Sequence, residues 1–144
     1  MIAVDTNVLV YAHRREVEYH TDASDLLGSL ASGSRSWAIP WPCLYEFFTV
    51  VTNARIWQLA ASTPHQAGDQ IQAWLGSPTV RPLSEPAGFH ELLDPVLRGS
   101  RVRGGVVHDA RIAAICLSHG VDELLTRDRD FHLFPELKTR DPFR

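Results

Sequence analysis

The chain has 144 residues, 44% of them hydrophobic and 22% charged, with a net charge of −3. That composition is ordinary for a soluble globular protein with a real core, so a single domain spanning 1–144 is expected. No apolar run approaches the ~20 residues that span a bilayer. The start of the chain lacks the basic and apolar regions of a secretory signal, so a cytoplasmic protein with no membrane association is expected. Cys43 and Cys116 are far apart and form no C-x-x-C pair, so they suggest neither a zinc knuckle nor a disulfide framework, and both read as core thiols.

Taken in order, residues 2–5 read as a first strand that enters a helix through "DTNVLVYAHR". A second helix fits 20–31, capped by Thr21 or Asp22, with Leu26, Leu27 and Leu30 on its inner side. "SWAIP" (36–40) reads as a strand stopped by Pro40, and 41–53 as a helix with Pro42 in its first turn. A helix over 64–75 and a strand near 79–83 follow. Residues 85–98 carry a helical pattern that Pro95 should kink or end. "RGSRVRGG" (98–105) is a basic loop containing glycines. Residues 108–119 form the clearest helix, stopped by Gly120, before a strand over 121–126 and a last short strand near 137–140. Alternation of short apolar runs with longer helical patterns predicts an α/β fold around a parallel sheet.

Four acids occupy telling places on this map. Asp5 ends the first strand between two apolar triplets, and Asp128 lies just past the strand that ends at Thr126. In open α/β sheets, ligands bind at that carboxyl edge. Asp109 opens an apolar helix, and Glu46 interrupts the apolar run "LYEFFTV". Individually, Asp109 reads as a helix cap, Asp128 and Asp130 as turn acids, and Glu46 equally well as part of a solvated face. Asp5 resists so plain a reading, because an isolated buried carboxylate must be paired, protonated or bound to a metal. Carboxylates gathered at one edge repel unless a cation neutralises them. Oxygen ligands without a His/Cys set suit Mg²⁺ or Mn²⁺ rather than zinc.

"VDTNVLVYA" (4–12), Glu46 in "LYEFFTV" (44–50), "VHDARIAA" (107–114) and "LLTRDRDF" (124–131), in that order, resemble the motifs of PIN-domain nucleases. Within these, the sequence is similar to the VapC-type toxins of bacterial toxin–antitoxin systems. The resemblance implies a three-layer α/β/α sandwich with a central parallel sheet. It implies metal ligation by Asp5, Asp109 and Asp128, with Glu46 completing the acidic cluster directly or through a water. It also implies supporting roles for Asn7 and Thr126, and a lesser one for Asp130. The implied activity is Mg²⁺- or Mn²⁺-dependent endoribonucleolytic hydrolysis leaving 5′-phosphate and 3′-hydroxyl ends. The implied partners are an RNA substrate, a cognate antitoxin and a second copy of the chain in a homodimer.

The basic residues are thirteen Arg and a single Lys, Lys138. A GC-rich coding sequence would be enough to produce the overall bias, so only local clustering informs. Arginine's planar fork suits phosphate, and Arg98, Arg101, Arg103 and Arg111 cluster around the approach to Asp109, making them candidate RNA contacts. Arg127 and Arg129 alternate with acids, and either phosphate contact or local charge balance explains them. The Trp residues read mostly as core or interface, and His108 as a residue near a helix start. Two other function classes compete with this one. A PIN-like module that binds RNA or protein without cutting would show no divalent-ion effect dependent on Asp5. A haloacid-dehalogenase-like phosphatase needs a second Asp where Asn7 stands and a downstream basic residue, usually Lys, whereas the only Lys here is Lys138. A dinucleotide enzyme is disfavoured because no G-x-G-x-x-G follows the first strand.

Overall fold

The computed structural model describes residues 1–99 and 101–144; Ser100, in the predicted basic loop, lies outside the described residues. Five parallel strands form one sheet in the order β3-β2-β1-β4-β5. They are β1 (Ile2–Val4), β2 (Trp37–Pro40), β3 (Val80–Leu83), β4 (Glu123–Leu125) and β5 (Thr139–Arg140). The central strand β1 pairs Ile2 with Trp37 on one side and with Glu123 on the other. Its Ala3 and Val4 are fully buried, as are Ala38, Ile39, Leu124 and Leu125. Strands covered on both faces read as continuous apolar runs, and these do. Pro82, which has no N–H for a ladder, is tolerated because β3 is an edge strand.

Helices connect the strands and cover the sheet. They are α1 (Thr6–His13), α2 (His20–Ser32), α3 (Trp41–Val51), α4 (Ala54–Trp57), α5 (Pro64–Leu75), α6 (Phe89–Leu97) and α7 (Val106–Ser118). α1 packs on α2 and α3, and α3 on α5, whereas α6 packs on α7. The result is the α/β/α sandwich expected from sequence. Leu9 of α1, Phe47 of α3 and Ile115 of α7 are fully buried in its core, each such side chain contributing about 1.5–3 kcal/mol relative to exposure.

The departures from the sequence reading have local causes. Gly88, at φ +74°, redirects the chain so that α6 begins at Phe89 rather than 85. Pro95 does not end α6: it sits near the last turn, and the helix runs to Leu97. α7 starts at Val106, so Asp109 lies in its first turn and is not its cap. No side chain of Thr21 or Asp22 caps α2, whose capping position is Tyr19. The short helix α4, capped by the Asn53 side chain, had no expectation, and the buried Arg14 guanidinium stacks on its Trp57 at 4.1 Å. Among the described residues no helix is long and apolar enough to cross a membrane.

Candidate active site

β1 stops where Asp5 takes over. Its backbone N–H still donates to Leu125 O at 3.0 Å, extending the ladder to β4, while its side chain caps α1 by accepting from Thr6 N at 2.8 Å. An Asp that closes a strand and caps the following helix is thereby fixed at the carboxyl edge of the sheet. Asp5 is only 4% exposed. Its Oδ1 accepts from Thr6 N and from the Cys43 thiol at 3.6 Å, and its Oδ2 from Asn7 Nδ2 at 3.0 Å and Thr126 Oγ1 at 2.7 Å. Four donors thus make this buried carboxylate tolerable, although no cation is among them. Burial pushes its pKa up to about 6, against the opposing pull of the Thr126 and Thr6 bonds and with a contribution from the Glu46 charge.

The neighbouring residues tie three elements together. Asn7 donates to Asp5 and to Thr126 Oγ1 at 3.1 Å, and its Oδ1 accepts from Arg127 N at 3.2 Å, pinning the end of β4 to α1. Thr126 Oγ1 in turn accepts from Asp128 N at 2.9 Å. Asp128 caps a short 3₁₀ turn (Arg129–Leu133) by accepting from Asp130 N at 2.8 Å. On the opposite wall, Thr6 Oγ1 donates to Glu46 Oε2 at 3.0 Å. The cleft of about 270 Å³ between these elements is bordered by Asp5, Thr6, Asn7, Glu46, Asp109 and Asp128. A larger groove of about 630 Å³ beside α6 and α7 holds none of these acids. Chemistry, not volume, marks the site.

Asp109 carries the strongest electrostatic signature. Half-buried, it has its pKa pushed up to about 7, first by burial and then by the charges of Asp128, Asp5, Asp130 and Glu46. Ligand oxygens of Asp109, Asp128 and Asp130 all lie within 4.8 Å of one another. Asp130, ranked lowest from sequence, therefore joins the group able to hold a cation. The set is all carboxylate oxygen, the donor chemistry of a hard divalent ion, and its mutual repulsion is what such an ion relieves.

Two contributors were missed from sequence. Thr6 reads from sequence only as part of a helix start, yet it orients Glu46. Cys43, read as a core thiol, is indeed fully buried and held protonated by burial, and it also reaches Asp5. The spacing of Asp5, Thr6 and Asn7 at an N-terminus, where three successive side chains fan outward, was the available signal for Thr6. The candidate RNA contacts fare differently. Arg98 pairs with Asp94 at 2.8 Å, Arg111 pairs with Glu85, and Arg101 borders the groove beside α6 and α7. Neither these three nor Arg103 borders the acid cleft. Trp41 and Tyr45 stack at 5.9 Å, with His108 in the same small cleft, whereas Trp37 and Trp74 are in the core.

Similarity to known proteins agrees with this geometry. The PIN domain family matches residues 2–137. The chain is 34% identical to ribonuclease VapC43 of Mycobacterium tuberculosis, covering 99% of this chain and 95% of that protein. It is 31% identical to ribonuclease VapC48 of the same species, covering 96% and 95%. Among solved structures, VapC20 of M. tuberculosis, described as a sarcin-ricin loop cleaving toxin, superposes with a TM-score of 0.67 at 21% identity, covering 92% of this chain and 93% of that one. VapBC2 of Rickettsia felis, solved with a DNA fragment from its promoter, gives 0.67 at 20% identity over 97% and 98%. With the acids at the carboxyl edge of a five-stranded parallel sheet and this run of relatives, the chain belongs to the PIN-domain family and, within it, to the VapC ribonucleases.

Proposed function

We infer that this VapC-family ribonuclease is the toxin of a toxin–antitoxin pair and hydrolyses RNA phosphodiester bonds endonucleolytically at the acid cleft. The observation that carries the inference is the convergence of Asp109, Asp128 and Asp130 within 4.8 Å, beside a buried Asp5 whose pKa lies well above the usual carboxylate range. Asp109, Asp128 and Asp130 would hold a divalent cation, Mg²⁺ or Mn²⁺, with Asp5 and Glu46 adding carboxylate charge at the same cleft. Such an ion supplies Lewis acidity toward a phosphoryl oxygen and stabilises charge on the leaving oxygen.

The chain's own residues do the rest. Thr6 holds Glu46 Oε2, leaving the other carboxylate oxygen to take a proton from an attacking water. Asn7 and Thr126 fix Asp5 and the Asp128 backbone, so the carboxylates keep their places against mutual repulsion. Attack by water rather than by a ribose hydroxyl yields 5′-phosphate and 3′-hydroxyl ends. The expected cellular setting is the cytoplasm, with an antitoxin and a second copy of the chain as partners. Asn7 spends its amide on Asp5, Thr126 and the Arg127 backbone, so nothing stands where a dehalogenase-like phosphatase needs its second acid.

The test is end-labelled total RNA incubated with the antitoxin-free protein in Mg²⁺, in Mn²⁺ and in EDTA, beside Asp5→Asn. Discrete cuts that need the metal and vanish in the variant are expected. Cutting that survives EDTA, or a folded protein that never cuts, would sink the reading and leave a binding module.

A further inference from the structure

RNA is a polyanion, and the cleft it must reach is lined with acids in a chain of net charge −3. Coulomb repulsion opposes that approach unless positive charge lies close by. Among the described residues, none of the loop expected to supply it borders the cleft. A second cleft does, on the side of the chain terminus. Of about 590 Å³, it shares Thr126 and Asp128 with the acid site and is lined by Arg127, Arg129, His132, Arg140 and Arg144.

The charges here do not cancel. Arg127 and Arg144 share a single carboxylate, Asp141, at 3.2 and 3.4 Å. Arg140 and Lys138 share Glu123, at 2.9 and 3.0 Å. Arg129 is exposed and has no carboxylate within ion-pair distance among the described residues. Four arginines therefore line the cleft against two acids, Asp128 and Asp141, while Lys138 and Glu123 lie outside its lining. The groups are also positioned: Arg127 is stacked over the Tyr19 ring at 4.3 Å, and Arg140 is anchored on the edge strand β5. Arg129 and Arg144 present exposed guanidinium forks suited to phosphate oxygens.

We propose that this arginine-lined cleft is the backbone track of the RNA, holding the phosphates next to the scissile one across the shared Asp128 wall. The proposal rests on the ribonuclease reading above. It divides the labour on the short segment after β4. Thr126, Asp128 and Asp130 serve the acid cluster, while Arg127 and Arg129, between them in sequence, serve the neighbouring phosphates. The alternation of basic and acidic residues in "TRDRD" is then the boundary between two sites, not local charge balance.

The experiment measures binding of a short single-stranded RNA of mixed sequence by fluorescence anisotropy over a salt series, in an Asp109→Asn background that should not cut. Arg129→Gln with Arg144→Gln should lower the slope of log affinity against log salt by about 1.4, at about 0.7 per lost contact on a single strand. Arg129→Lys with Arg144→Lys should keep the slope, because the charge remains. Arg98→Gln with Arg101→Gln, in the other basic segment, should also keep it. Thermal melts check that every variant is folded. An unchanged slope in the glutamine pair, while the parent protein still cuts total RNA, overturns the proposal and gives the cleft to an acidic protein surface. Equal losses in both glutamine pairs overturn it too, reducing the effect to net charge. A parent that fails to cut any RNA ends the ribonuclease reading and this proposal together, an outcome the slope comparison cannot mimic.

Discussion

Two buried acids sit on neighbouring strands of this sheet and are treated in opposite ways. Glu123, at the start of β4, is 8% exposed; Asp5, at the end of β1, is 4% exposed. Burial raises the pKa of both, but at Glu123 the bonds and charges of Lys138 and Arg140 outweigh it and hold the carboxyl below its ordinary value. Among the described residues Asp5 receives four neutral donors and no cationic side chain, faces the Glu46 charge, and has its pKa raised to about 6. A structural acid is neutralised where it stands. The acid at the site edge keeps an uncompensated charge at neutral pH, which protonation or an outside cation removes. The first edge is built for stability, and the second gives up stability to keep carboxylate charge at the cleft.

The sharpest way to break this comparison is to remove one of the uncompensated charges. Among the described residues Asp109 accepts no side-chain hydrogen bond, and it is repelled by four other carboxylates, so Asp109→Asn costs the fold little. RNA cutting should fall by about 100-fold or more, the scale of losing one preorganised electrostatic group. In EDTA at pH 8 the same variant should melt higher than the parent. A variant that melts lower would show that the acids are not in conflict. The pH dependence has a definite sign. Folded Asp5 and Asp109 have pKa values near 6 and 7, above their ordinary 3.8. The stability they give as neutral acids is full below that ordinary value and is lost as pH rises through 6 and 7. Metal-free protein should thus melt progressively lower from pH 5 to pH 8, and Mg²⁺ should raise the melting point far more at pH 8 than at pH 5. Equal effects of Mg²⁺ at both pH values would contradict it.

Thr6 sharpens the comparison from the side of geometry. Its buried hydroxyl donates to Glu46, which is exposed and would otherwise sample several rotamers. Thr6→Val deletes that bond while keeping the shape and the backbone cap to Asp5. A hydrogen bond to a charged group contributes about 1.5–3 kcal/mol, so cutting should drop by about 10-fold to 100-fold, with the loss in kcat and little change in KM. Thr6→Ser should restore most of it. If Val and Ser behave alike, the hydroxyl does not orient Glu46.

Much of this was legible in the chain because it depends on local signals. Asp5 after an apolar strand, Asp109 at the head of an apolar helix and Asp128 past the last buried strand each mark an element end. The parallel sheet then brings element ends to one edge. The parts that were not legible depend on partners remote in sequence. Asp130 reads as a turn residue until the 3₁₀ turn capped by Asp128 carries it toward Asp109. Arg98 and Arg111 look available for RNA until Asp94 and Glu85 occupy them. Pro95 looks like a helix end, but so near the end of α6 it removes a single bond and the helix continues. Neutral donors at Asp5 were equally hidden, since Cys43 and Thr126 lie 38 and 121 residues away.

The smallest effect tests the compensated acid. Glu123→Gln leaves Lys138 and Arg140 without their carboxylate, but both cations are substantially exposed and can return to water. The loss is therefore smaller than for a fully buried pair, about 1 kcal/mol, a fall of a few degrees in melting point. Because Glu123 is held below its ordinary pKa, its contribution is present above that ordinary value and disappears as pH falls through the lowered one. Parent and Glu123→Gln should accordingly differ at pH 7 and converge on acidification, whereas parent and Asp109→Asn, in EDTA, should differ most at pH 8 and converge only as pH falls from 7 toward the ordinary carboxylate value of 3.8. Cutting by Glu123→Gln at saturating RNA should match the parent. The two variants thus shift melting in opposite directions from the same sheet, and a shift of the same sign in both would show that burial alone, not the presence or absence of a cation, governs these carboxylates.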